Sequence, residues 1–194
     1  MKTQKKPSTQ NLVLAAILTA LVIILQFMGA FIKFGPFSIS LVLIPIVIGA
    51  ASCGKGIGAW LGLIFGIIVL VSGDAAAFLA INPLGTVLTV LLKGTAAGYL
   101  AGLTYKAFEK RNKTLSVALA AIVCPLINTG IFLLGCFAFF MSAISEWASA
   151  FGFGDNVVEY MIFGLVGTNF LFELLTNIIL SPIIVRLLNL RKVS

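Results

Sequence analysis

A chain of 194 residues that is 60% hydrophobic, 10% charged and free of histidine is built for lipid rather than for water. The mean hydropathy of +1.16 leaves room for several apolar spans of about 20 residues and none for an additional soluble domain. The formal charge of +7 is spread over alternate loops instead of one patch, which speaks against nucleic acid. Without histidine there is no zinc-peptidase motif, no Ser-His-Asp triad and no His-ligated haem, and no cofactor is implied.

The apolar segments run over residues 11–31, 39–52, 57–72, 83–105, 115–141 and 160–188, separated by charged or turn-rich stretches. The expectation is an all-α integral membrane protein, a compact bundle of six transmembrane helices forming one domain over residues 1–194. The first run is longer than the 7–15 residues of a signal-peptide core, so it reads as a retained span. The second is short and carries Pro45, which predicts a kinked, tilted or partly interfacial crossing.

Between the second and third spans lies GAASCGKG, residues 49–56, which imitates a phosphate-binding loop after an apolar strand. That motif needs Ser or Thr after the lysine to hold magnesium, and Gly56 stands there instead. Gly54, Gly58, Gly62 and Gly66 recur every four residues, so they lie on one helical face where another backbone can approach. Gly94, Gly98 and Gly102 repeat the device in the fourth span. The mimic is therefore a turn that opens a glycine seam. Cys53, Cys124 and Cys136 form no C-x-x-C and read as small apolar fillers.

Lys and Arg are retained on the cytoplasmic side of a membrane. Lys2, Lys5, Lys6, Lys55, Lys106, Lys110, Arg111, Lys113, Arg186, Arg191 and Lys192 fall at one set of loops and ends; Lys33 is the lone cation of the opposite set. Both termini of the multi-pass chain are therefore expected on the cytoplasmic side of its membrane.

Polar groups inside spans are the sharpest signal, since each costs free energy in lipid and faces a bundle interior or cavity. Lys93 is near the middle of the fourth span, Asn128 and Thr129 of the fifth, and Asn169, Glu173 and Asn177 share one face of the sixth. Two readings stand. Lys93 and Glu173 form a buried pair that fixes bundle geometry, or they line a polar pocket for a small solute. Trp147 is an interfacial anchor or an aromatic platform.

The chain resembles the substrate-binding S components of energy-coupling factor (ECF) transporters, which import vitamins and related micronutrients. The resemblance is carried by AILTA from Ala16 to Ala20, by ISLVLIPIVIGA, CGKGIGAWLGLIFG and KGTAAGYLAG, and by Asn169 with Glu173. It implies a solute site in the extracellular half beneath the loops at residues 32–38 and 73–82, which adds Asp74 and Asn82 to Lys93, Asn128, Asn169 and Glu173 as candidate substrate-binding residues. It further implies docking on a transmembrane T protein through Ala16 and Ala20, with two ABC-type ATPases hydrolysing ATP, so this chain is not expected to be an enzyme. The ISLVLIPIVIGA region is similar to a branch that includes pantothenate, hydroxymethylpyrimidine, folate, riboflavin and cobalamin binders. Lys93 suits a carboxylate such as that of pantothenate, while Glu173 competes for the same charge. The alternative is a membrane scaffold or small channel-like protein without a specific site.

Overall fold

The computed structural model describes residues 9–31, 33–34, 37–38 and 41–193. Helix α1 spans Thr9–Phe31; a two-residue antiparallel ladder follows, β1 (Lys33–Phe34) with β2 (Phe37–Ser38), pairing Lys33 with Ser38. Next come α2 (Leu43–Cys53), α3 (Lys55–Val71), α4 (Ala76–Ile81), α5 (Pro83–Phe108), α6 (Lys113–Phe139) and α7 (Met141–Ala150). The chain ends in α8 (Val157–Glu159), a π-helical stretch (Tyr160–Gly167) and α9 (Thr168–Val193), which follow one another without a break. Lys2, Lys5 and Lys6 lie outside the described residues, as do positions 32, 35 and 36 of the predicted loop 32–38.

Among the described residues, four helical stretches are long and apolar enough to cross a membrane: Thr9–Gly29, Pro83–Phe108, Lys113–Phe139 and Asn169–Asn189. Helix α3, with 17 residues, reaches roughly 25 Å, just short of a hydrocarbon core of about 30 Å. Helix α2 has 11 residues and reaches only about 16 Å. The predicted second span, residues 39–52, is thus shorter as a helix than as an apolar run, because hydrophobicity continues into Leu41 and Val42 while the helix begins at Leu43. The last helical run, residues 157–193, extends past the predicted span 160–188 at both ends, although its candidate crossing is Asn169–Asn189. Helices α4 and α7 arise in segments read as loops.

Local chemistry explains the helix starts. Asn82 accepts a hydrogen bond from the Gly85 amide at 2.9 Å and precedes Pro83 at the first helical position of α5, satisfying an otherwise orphan amide. Asn112 does the same for Leu115 at 3.1 Å on α6. The turn from α2 into α3 is made by Gly54 at φ +96°, a conformation that residues with a Cβ rarely adopt. The Gly54 amide donates to the Ala50 carbonyl at 3.1 Å, so the loop is spent on ending a helix and does not cradle a phosphate.

The core is organised around α5, which packs most extensively on α3 and α6. Apart from Gly54, which makes the turn before α3 and meets no neighbour, the two predicted glycine seams face each other: a Cβ on Gly58 would overlap the Gly98 carbonyl, and one on Gly62 would overlap that of Gly94. At the ends of the seam, a Cβ on Gly66 would stand 2.9 Å from the Val90 carbonyl oxygen, and one on Gly102 would stand 2.6 Å from the Lys55 Cα. Backbone meets backbone at four successive levels of the seam. In lipid, where hydrophobic burial does not drive helices together, this close packing supplies the association.

Candidate functional site

A cavity of about 400 Å³ opens where α5 turns from α3 toward α6 and α9. Helical spacing builds its walls. Thr86, Thr89 and Lys93 follow at intervals of one turn on α5; Asn128, Thr129 and Phe132 share a face of α6; Asn169, Phe170 and Glu173 share a face of α9. Helix α1 adds Gln26, the end of the buried stripe Ala15, Leu18, Val22 and Gln26. The α3–α4 turn and α4 close one end with Asp74, Ala75 and Phe78, and the π-helical stretch contributes Tyr160, Leu165 and Val166. A Cβ at Gly164 would stand 2.5 Å from the Tyr160 ring, so a glycine is needed for that turn to hold Tyr160 against the wall. Such π turns recur at functional sites.

Aromatic rings seal the α4 end. Phe78 meets Phe132, Phe140 and Trp147 edge to face at 5.5, 5.0 and 5.5 Å. Trp147 is thus part of the cavity wall rather than only a surface anchor. The Lys93 ammonium lies 5.0 Å from the Phe132 ring centre and 5.7 Å from that of Phe65, within reach of their negative faces.

Buried polar groups normally find partners, and those that do not call for an explanation. Among the described residues Gln26 Oε1, Thr89 Oγ1, Asn128 Oδ1, Asn169 Oδ1, Glu173 Oε2 and Asn177 Oδ1 have no hydrogen-bond partner, and all but Asn177 belong to cavity-lining residues. Glu173 is 2% exposed, and its Oε1 accepts a 3.4 Å bond from Asn169 Nδ2. Asn177, one turn further on, is used locally: its amide donates to the Glu173 carbonyl at 2.8 Å. Among the described residues neither Lys93 nor Glu173 forms an ion pair within 4.0 Å. The sequence alternative of a direct structural pair is not what the side chains do. Both face the same space.

Of the residues singled out from sequence, Lys93, Asn128, Asn169, Glu173 and Asp74 line this one cavity. Asn82 does not; its side chain is the α5 cap. Ala16 and Ala20 lie exposed on α1, away from the buried stripe. Gln26, Thr86 and Thr89 escaped the sequence reading. The rule that exposed Lys93 applies equally to Gln26, a lone amide in an apolar span, and the threonines sit one and two turns before Lys93.

The helices thus surround a solute-sized cavity whose wall is mainly apolar and carries a few convergent polar groups, the usual composition of a small-molecule site. Residues 10–188 match the family described as ECF transporter, substrate-specific component, and the chain belongs to that family. It is 28% identical over 196 residues to the pantothenic acid transporter PanT of Lactococcus lactis subsp. cremoris (strain MG1363), an alignment covering 93% of this chain and 94% of PanT.

Proposed function

We propose that this protein is the solute-capturing subunit of an ATP-driven importer and that its solute is pantothenate or a close hydroxy-acid amide. The composition of the cavity wall carries the reading. It offers one ammonium, Lys93, to a carboxylate, unpartnered side-chain oxygens to hydroxyl and amide N–H donors, and aromatic rings to the apolar backbone of the ligand. Pantothenate has a carboxylate at one end, hydroxyls at the other and an amide between. The cavity volume of about 400 Å³ falls in the range of roughly 300–1,000 Å³ usual for such ligands. The likeness to PanT points the same way.

In this reading the chain is one domain of six spans, α2 and α3 being the shorter crossings, with both termini in the cytoplasm and the α4 end of the cavity outside. An impermeant thiol reagent added to intact cells then leaves Cys53 unlabelled, and efficient labelling with Cys124 and Cys136 replaced reverses the orientation. The exposed Ala16 and Ala20, one turn apart on α1, leave a shallow groove for a helix of a T protein, to which two ABC-type ATPases couple.

Equilibrium binding of radiolabelled pantothenate to the purified chain tests the solute assignment: saturable binding displaced by unlabelled pantothenate supports it, and no binding removes it. The variant Ala16→Trp with Ala20→Trp tests docking. It is expected to abolish cellular uptake and co-purification with the T protein while keeping solute affinity within about twofold, because small-residue faces set helix approach and are remote from the cavity.

A further inference from the structure

A second recess, of about 480 Å³, lies on the flank of the bundle between α6 and the run formed by the π-helical stretch and α9. On α6 it is bordered by Gly130 between Leu126 and Leu133; opposite stand Phe163, Gly167 and Leu171. Leu126, Phe163 and Leu171 are exposed, so the recess opens away from the bundle. A Cβ on Gly130 would meet nothing within 4 Å, and the missing side chain leaves open space there. Among the described residues no charged side chain borders the recess, and Thr129 is its one hydroxyl. Such a wall gives a polar solute little to bind.

Its depth follows from helix length. Helix α6 has 27 residues, is about 40 Å long and has its midpoint at Leu126. Leu133 lies about 10 Å further toward Phe139. A hydrocarbon core of about 30 Å gives each leaflet about 15 Å, so the recess fits within the acyl region of one leaflet. At that depth it is covered either by lipid or by a protein helix.

The side chains decide between the two. Helices associate in lipid where small residues let backbones approach, as in the α3–α5 seam. Here Gly130 is flanked by two leucines, and Gly167 faces its own turn, since a Cβ there would stand 2.7 Å from the Ile162 carbonyl oxygen. A helix about 10 Å across is held off by that rim, whereas a single hydrocarbon chain enters beside Gly130.

We propose that this recess binds one acyl chain of a membrane lipid. The chain lies against Thr129, Val166 and Phe170, which border both the recess and the solute cavity, and so backs the cavity wall on its lipid side. The site does not depend on which solute the cavity takes, and no solute enters its test.

For that test the full-length chain is reconstituted in vesicles of phosphatidylglycerol and phosphatidylethanolamine, doped with a phosphatidylcholine that carries a diazirine midway along one acyl chain. Leu92 on α5 is the reference for ordinary lipid contact, being 60% exposed and bordering neither cavity. The start of α5 adjoins the end of α6, since a Cβ on Gly85 would stand 2.8 Å from the Phe139 ring. Leu92 is nine residues from Pro83 and Gly130 nine from Phe139, so the two stand at the same depth. After illumination, residues 126–133 and 162–171 should carry about tenfold more label per exposed residue than Leu92, equivalent to a preference of about 1.4 kcal/mol.

Gly130→Phe fills the space with a tethered ring. It should bring labelling of the recess down to that of Leu92 while Leu92 itself stays within about twofold, because the two positions share no partners. Gly130→Leu is the smaller filling if the phenylalanine variant fails to fold, and should lower the labelling in the same direction. Recess labelling no higher than at Leu92 in wild type means ordinary boundary lipid and overturns the site, as does labelling that Gly130→Phe leaves unchanged. With Cys53, Cys124 and Cys136 replaced, Gly130→Cys should stay monomeric under oxidation; an efficiently formed disulfide-linked dimer would put a second copy in the recess and overturn the acyl chain.

Discussion

Helix α5 meets its neighbours in two ways, and the contrast divides the molecule. Toward α3 it presents Gly94, Gly98 and Gly102, and the backbones approach so closely that side chains are excluded. Toward α9 it presents Lys93 across a cavity of about 400 Å³, which Thr86 and Thr89 also line, while α6 stays packed on α5 beside it. In water both arrangements would compete with hydrophobic burial; in lipid the first is how helices are held, and the second is a cost. The α3–α5 seam thus supplies rigidity on one side of α5 that lets its other side carry unpartnered polar atoms. Five of the six buried side-chain oxygens without a partner among the described residues belong to residues that line the open side, which supports placing the proposed solute there.

The sharpest way to break this contrast is to place bulk in the seam. Gly62→Leu is expected to cost about 3 kcal/mol or more, because a Cβ there overlaps the Gly94 carbonyl and backbone has no rotamer with which to yield. Gly56→Leu, where an added Cβ meets nothing within 4 Å, should cost little. Yield and thermal unfolding of the two variants measure the difference, and equal tolerance would show that the seam is not what holds α3 to α5.

On the open side, Lys93→Met with Glu173→Leu should remain folded and bind pantothenate at least about tenfold more weakly, as expected for the loss of a charged partner. Because the two side chains form no ion pair in the structure, the single Lys93→Met change should not bring the roughly 3–5 kcal/mol loss of a broken buried pair. Thermal unfolding and ligand titration on the two singles and the double check both statements. Full affinity in the double variant would take Lys93 out of the site and turn the cavity into a structural void.

The smallest effect sharpens the boundary of the site. Asn82→Ala removes the α5 cap and should lower stability by about 1 kcal/mol. Solute affinity should stay within about twofold, since the Asn82 side chain is committed to the Gly85 amide. A larger loss of affinity than of stability would return Asn82 to the binding residues.

The amino-acid sequence by itself determined what depends on local periodicity and on the cost of polar groups in lipid. The membrane class, the glycine rows at intervals of four, Lys93 and the Asn169–Glu173 face were all legible, because a helix places residues i and i+4 together whatever surrounds it. Gln26 was legible by the same rule and was passed over. Tertiary structure decided how the helices are rotated and set against one another. It put the two glycine rows face to face, kept Lys93 and Glu173 from pairing, turned Asn82 to a helix cap, and brought Gln26 to Asp74 across 48 residues. The π-helical turn at Tyr160–Gly167 belongs there as well, since its apolar sequence is compatible with an ordinary helix. Rotation and register between helices follow from the fit of two whole surfaces, and a single helix carries only one of them.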